Sequence, residues 1–161
     1  MVGGLVVELV AQLRQQLHRL NGGCQIKVLQ TAHIALREAI CAFVLATAAR
    51  SVRGQGKAHS SMLVHVTRFN LVQRQVHRQV DQVVTRMRQR ITRGVDDKGT
   101  LAELEALWRS DFEPICAKIA ESLPEPDGAP EVPSWERIRE ALPDVLSDIQ
   151  VRMINGTAKD A

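Results

Sequence analysis

Apolar side chains recur every three or four positions along much of this chain, and that spacing predicts amphipathic helices. One helix is expected at residues 5–20, and a second at about 32–52, where apolar residues cover most faces as they do in a buried central helix. A third is expected from Phe69 to a glycine stop at Gly94. Its buried stripe would consist of Phe69, Val72, Val76, Val80, Val83, Met87 and Ile91.

Two further helices are expected in the second half of the chain. Thr100 and Glu103 have the spacing of a capping box at a helix start, and Pro114 would kink or split the helix that follows. Ser134 is placed to cap the last helix, which we expect to be interrupted near Pro143. The buried side of the helix that starts at Thr100 would consist of Leu101, Leu104, Leu107, Trp108, Ile115 and Ile119.

Two stretches, residues 62–67 (MLVHVT) and 149–154 (IQVRMI), have the β-branched, apolar character of buried strands, and residues 24–30 have it more weakly. Strands separated by about eighty residues of helix should be parallel. The expected fold class is therefore α/β and predominantly α-helical, with about five helices around a small two-stranded parallel sheet. Thr67 and Arg68 would lie at the carboxyl end of the first strand, where open α/β sheets bind ligands.

The 161 residues are 45% hydrophobic, which is enough for one ordinary domain. Charge is unevenly distributed: residues 50–93 hold ten Lys or Arg against one acid, a net of +9, while residues 95–148 hold five against fourteen acids, a net of −9. A basic half is typical of polyanion binding. The two halves could equally neutralise each other across the fold, and the sequence leaves both readings open.

Several classes of protein are excluded or disfavoured. The three cysteines, Cys24, Cys41 and Cys116, have neither disulfide-framework nor zinc spacing, so reduced thiols in a cytoplasmic protein are expected. No signal peptide is recognised, and the longest apolar run, residues 39–49, is too short to span a membrane. Aromatic residues are only 3% of the chain, which disfavours stacking on single-stranded nucleic acid. No metal or other cofactor is expected, because Asp96 and Lys98 lie in a glycine turn without partner acids.

Most candidate binding residues are basic. Arg74 and Arg78 follow Arg68 on the first turns of the expected third helix. Arg53 and Lys57 flank the glycines of RGQGKAHSS, but this stretch lacks the preceding strand and the Ser or Thr of a phosphate-binding loop, so a basic surface turn is favoured. For His65, in the first strand, a core position is favoured over a catalytic role.

A longer motif then becomes informative. Residues 36–73, with RGxxxxHSSMLVHVTRF at their centre, resemble the Z-one (Z1) domain, and so do LWRSDFEPI at 107–115, SWERI at 134–138 and the closing IQVRMINGTAKDA. This family is found in helicase-like ATPases, described as endonucleases, of bacterial restriction and modification loci. The resemblance divides the chain into residues 1–33, an amino-terminal helix and link, and 34–161, a compact partial domain with an acidic proline-rich loop at 124–133.

The resemblance implies that residues 34–161 open the second RecA-like domain of a motor protein, with a helical insertion between its strands. Thr67, Arg68 and Gln73 would then lie where such a domain meets nucleic acid or nucleotide, and His59 would precede the strand. The phosphate-binding loop, the acidic magnesium box and the arginine finger of such motors are missing. We therefore expect a fragment that does not hydrolyse ATP alone.

The expected function is a non-catalytic segment that contacts DNA or docks onto a partner, within a helicase-like protein of a restriction and modification system. Its partners would be DNA and the remainder of that protein or its companion subunits, and no membrane. The alternative is a helical homodimeric module without a nucleic-acid role, closed by the stripe at 69–91 and the helix at 5–20. Association of the chain with itself is expected in either case.

Overall fold

The computed structural model describes residues 25–65, 70–94, 98–122 and 132–154. Within those ranges the chain forms four helices and contains no strand. Helix α1 spans Gln25–Arg50 and is followed by a π-type turn at Ser51–Gln55, and α2 spans Asn70–Arg93. Helix α3 consists of Lys98–Leu107, a π-type stretch at Trp108–Phe112, and Glu113–Ser122, without a break between them. Helix α4 spans Trp135–Asp148.

The predicted α/β fold class, with its partial RecA-like sheet, is therefore wrong, and the described chain is all-α. The described part of the first expected strand, residues 62–65, has no regular secondary structure, and Leu63 is 71% exposed. Residues 149–154 likewise form no regular secondary structure, with Ile154 84% exposed. Strand propensity measures how well a side chain fits a half-buried pleated surface. Here one side of each segment faces solvent and no described segment pairs with it, so the propensity produces no sheet.

The described residues fall into two compact units, which are considered separately. The first includes the described parts of Met1–Ile40, Met62–Val83 and Gln150–Ala161, and its buried apolar side chains are Ile40, Val80 and Val83. The second consists of Cys41–Ser61 and the described parts of Val84–Ile149. Its core is larger and draws on all four helices: Cys41, Val44, Leu45, Ala48, Ala49, Val84, Met87, Leu104, Trp108, Trp135, Ile138, Leu142, Val145 and Leu146.

Helix α2 follows the sequence pattern most closely. Val80, Val83 and Met87 of the expected stripe are buried, and the helix ends one residue before Gly94. Gly94 adopts a left-handed φ of 60°, a conformation that glycine reaches without the penalty of a Cβ and that commonly terminates helices. The stripe predicted the centre of this helix and the glycine predicted its end, but the expectation that Val72 is buried is wrong, because Val72 is 42% exposed.

Other boundaries differ from the expectations. Residues 25–30 are helical rather than strand-like. Helix α3 begins before Thr100, whose side chain is 1% exposed and accepts a hydrogen bond from Arg90, so the capping box is wrong. Ser134 does cap α4, accepting from the Arg137 backbone N–H at 3.4 Å, but the helix continues through Pro143 without interruption. Among the described helices, none combines the length and the apolar character that crossing a membrane would require.

Candidate nucleic-acid interface

The exposed side of helix α2 is dominated by arginine and glutamine. In the first unit, Arg74 and Arg78 are exposed and lie four residues apart, which places them one turn from each other on the same face, about 6 Å along the axis. In the second unit, Arg86 and Arg93 are exposed on the same helix. The α2 side chains that are buried repeat on the opposite face, so the fold holds these guanidinium groups toward solvent.

These four arginines make no ion pair and no side-chain hydrogen bond with any described residue. The acidic half of the chain therefore leaves them unneutralised by direct contact within the described ranges. An exposed arginine with five free donors suits a phosphate, which it can bind through two parallel hydrogen bonds. The arrangement has the chemistry of a polyanion-binding surface.

Two other arginines of α2 have structural partners. The Arg88 guanidinium donates from Nε to the carbonyl of Leu146 and from Nη2 to the carbonyl of Ile149, each at 2.7 Å. Arg90 donates to the hydroxyl of Thr100 at 3.3 Å. The arginines of α2 are thus of two kinds. Arg88 and Arg90 bond to other residues of the second unit, whereas the four exposed arginines named above remain available to bind a polyanion.

Arginine side chains donate hydrogen bonds in and around the glycine-rich turn that follows α1, and this arrangement does not resemble an anion-binding loop. Arg50 donates to the His59 carbonyl at 3.2 Å and to the Ser60 hydroxyl at 2.8 Å, and Arg137 donates to the Val52 carbonyl at 3.3 Å. Arg53 donates to the Cys116 thiol at 3.2 Å. A helix carboxyl terminus carries partial negative charge, which these cations offset.

Of the candidate residues in this turn, Arg53 is therefore engaged in a contact, while Lys57 and His59 are exposed and make no side-chain hydrogen bond within the described residues. Gly54 has a left-handed φ of 77°, which a residue with a Cβ adopts only with strain. The turn has the form of a basic surface turn, as the sequence favoured over a phosphate-binding loop.

The remaining candidates lie in or beside the first unit. Thr67 and Arg68 are outside the described residues, so their roles stay predictions. Gln73 is half-buried on the inner side of α2, away from Arg74 and Arg78. His65 is exposed, so the expectation of a core histidine is wrong.

In the acidic half of the chain, charged side chains on α3 and α4 contact one another. Arg109 donates from Nη2 to the Glu105 carboxylate at 2.7 Å, and this hydrogen bond, with the negative charge of Glu105, raises the pKa of Arg109. The pKa of Glu136 is lowered, first because its carboxylate accepts from its own backbone N–H, then because Ser134 donates to it and Arg109 lies nearby. The Glu136 contacts lie at the amino end of α4, whereas the Arg109–Glu105 pair lies in the interior of α3.

The described residues contain no group of three or more His, Cys, Asp or Glu side chains placed to hold a metal ion. Neither cysteine within the described ranges forms a disulfide; Cys41 is buried and Cys116 is half-exposed. Sequence reasoning did not single out Arg86 and Arg93 as site residues. Helical spacing could have found these two, because Arg86 and Arg93 are separated by seven residues, close to two helical turns, and so share a face.

Comparison with known proteins gives one result. No curated protein matches the chain, and no solved structure does. The model of the Z1 domain family matches residues 35–161. Because this match extends over most of the chain, including helix α2 and the turn that follows α1, the chain belongs to the Z1 domain family.

Proposed function

We propose that this chain is a non-catalytic, DNA-contacting segment of a helicase-like cytoplasmic protein of a bacterial restriction and modification system. The exposed side of α2 is its DNA-binding surface, with Arg74 and Arg78 as the central contacts. The remainder of the helicase-like protein, described in this family as an endonuclease, supplies the chemistry. Thr67 and Arg68 lie outside the described residues and are proposed as further DNA contacts.

The observation that carries the proposal is the exposure of Arg74 and Arg78 without any ionic partner among the described residues. Unpaired surface cations one turn apart repel each other slightly, so they contribute nothing to the stability of the helix. Contact with a row of phosphates would relieve that repulsion. When the arginines neutralise the phosphates, counterions condensed on the DNA are released, which favours binding. The alternative role for these cations, pairing with the acidic half, has no supporting contact at these two positions.

Fluorescence anisotropy of a labelled duplex, titrated with the full chain at several salt concentrations, tests the proposal. The double variant Arg74→Ala/Arg78→Ala should bind more weakly, and the slope of log K against log salt should fall by roughly two units, about 0.9 for each lost phosphate contact. The matched control is Arg109→Ala/Arg139→Ala, which removes the same charge from exposed positions on α3 and α4. Equal slopes for all three proteins would refute DNA contact through α2.

The second candidate, a helical homodimeric interaction module, is favoured by a different surface. Ile115 and Ile119 lie one turn apart on α3 and are 56% and 49% exposed, and the stretch Glu113–Ser122 has no buried residue. Exposed apolar pairs of this kind are typical of interaction sites. Of the stripe first expected to form the dimer, Val80, Val83 and Met87 are buried within one chain, whereas Val72 is 42% exposed. Residues 5–20 lie outside the described residues.

Light scattering at high micromolar concentration separates the two candidates. If α3 forms a dimer, Ile115→Lys/Ile119→Lys should halve the molecular mass, while Ile34→Lys, at another exposed isoleucine, should leave the dimer intact. A wild-type chain that stays monomeric over the whole range rules the homodimer out.

A further inference from the structure

The side chains that helix α2 exposes are unusual for a merely solvated surface. Its 24 residues include six arginines and five glutamines, one aspartate, and neither lysine nor glutamate. A helix face that only meets water is commonly built from Glu and Lys, which pair at i, i+4 spacing. Arginine and glutamine share a different property, a planar end group that presents hydrogen-bonding atoms in a fixed fork.

Three of these side chains are aligned in the first unit. Gln75, Arg78 and Gln82 are all exposed and follow i, i+3, i+7 spacing, so they lie along one face over about 10 Å of helix. Arg74 lies beside them, one turn before Arg78. Asp81, three residues after Arg78, is also exposed and borders this face beside Arg78 and Arg74.

We propose that this face enters the major groove of duplex DNA and reads base edges, which rests on the DNA contact proposed above and adds sequence preference to it. Gln75 and Gln82 each accept from N6 and donate to N7 of an adenine, the bidentate pairing that glutamine geometry allows. Arg78 lies between them within reach of a base or phosphate, and Arg74 holds the phosphate backbone. An α-helix fits the width of the major groove, and about 10 Å along its axis corresponds to roughly three base pairs.

Duplex rather than single-stranded DNA follows from the aromatic side chains. Single-strand binding depends on bases stacking on exposed rings. Within the described ranges the aromatic residues are Phe43, Trp108, Phe112 and Trp135, and each is buried or half-buried. Trp108 and Phe112 stack on each other, with ring centroids 5.6 Å apart. A groove-reading helix needs no such platform.

The test is selection of a 20-base-pair duplex pool with a randomised core by the full chain, followed by sequencing of the bound fraction. The wild type should enrich cores with adenines about three base pairs apart, because each bidentate contact discriminates roughly fivefold to a hundredfold against a wrong base. Gln75→Ala/Gln82→Ala should lose that enrichment and keep the salt slope for the unselected pool. Gln150→Ala, at an exposed glutamine outside any helix, is the matched control, and circular dichroism checks that each variant folds.

The outcomes separate this inference from the proposed function. Salt-dependent binding without enrichment, or enrichment that persists in Gln75→Ala/Gln82→Ala, overturns base reading and leaves the DNA contact standing. Preference for single-stranded over duplex probes overturns groove binding. Loss of all salt-dependent binding by the wild type removes both.

Discussion

The Arg88 side chain on α2 donates from Nε to the backbone carbonyl of Leu146, 2.7 Å away near the end of α4. Its Nη2 reaches the Ile149 carbonyl at the same distance. The last four carbonyls of a helix have no partner within the helix and carry partial negative charge. One guanidinium therefore bonds to two carbonyls at the carboxyl end of α4 and links that end to α2. All three residues belong to the second unit.

We predict that Arg88→Met lowers the free energy of unfolding by about 2 to 3 kcal/mol, because it removes two charge-assisted hydrogen bonds to carbonyls that are shielded from water. Urea unfolding followed by circular dichroism measures the change. Arg86→Met is the matched control: Arg86 is exposed and makes no hydrogen bond or ion pair with a described residue, so its replacement should change stability by less than about 0.5 kcal/mol. Equal stability of the two variants would mean that the Arg88 bonds contribute nothing net.

Two glycines should respond in opposite directions to the same substitution. Gly54 has φ +77° and no atom within 4 Å of an added Cβ, so Gly54→Ala should cost about 1 to 2 kcal/mol through backbone strain alone. Gly99 lies in the first turn of α3, also with open space around it, and Gly99→Ala should stabilise by about 0.5 kcal/mol. Thermal melts of the two variants give the signs, and a stabilised Gly54→Ala would contradict the left-handed turn.

Sequence periodicity predicted the helices whose apolar stripes are continuous. The stripe of α2 through Val80, Val83 and Met87 marks a face that must be buried, and Gly94 marks where the helix cannot continue. On α3 the same reasoning failed after Phe112, since Ile115 and Ile119 continue the apolar pattern yet remain exposed. Periodicity shows which residues share a face, but it does not show whether another element covers that face.

The two predicted strands are absent from the described residues for a related reason. An apolar, β-branched segment such as residues 62–65 becomes a strand only when a second segment pairs with its backbone, and such pairing depends on residues far away in the sequence. The sequence likewise did not show which arginines have hydrogen-bond partners. Arg88 and Arg86 are two residues apart and alike in type, yet one caps a helix and the other faces solvent, because a shift of 200° around the helix separates them.

We predict that the purified chain shows neither ATP hydrolysis nor magnesium-dependent DNA cleavage. The reason is the absence from its sequence of a phosphate-binding loop and of clustered carboxylates with a lysine, which would hold the nucleotide and the divalent ion. Phosphate release and plasmid nicking assays measure both activities. Turnover that survives repurification and disappears in Asp96→Ala would contradict this prediction and assign a metal site to Asp96.

The last prediction concerns acid. Because the pKa of Glu136 in the folded chain lies below its ordinary value of 4.5, the unfolded chain binds more protons than the folded chain between those two values. The stabilisation from the Glu136 charge, at the amino end of α4 beside Ser134 and Arg109, is thus fully present above pH 4.5 and is lost as the pH falls through the lowered pKa. Glu136→Gln should be less stable than wild type at pH 7, and the difference should shrink as the pH falls below 4.5. Urea unfolding at a series of pH values measures it, with Glu140→Gln, one turn further into α4, as the control for loss of a carboxylate from the same helix. A Glu136→Gln deficit that stays constant down to pH 2 would show that the carboxylate charge is not what stabilises this end of the helix.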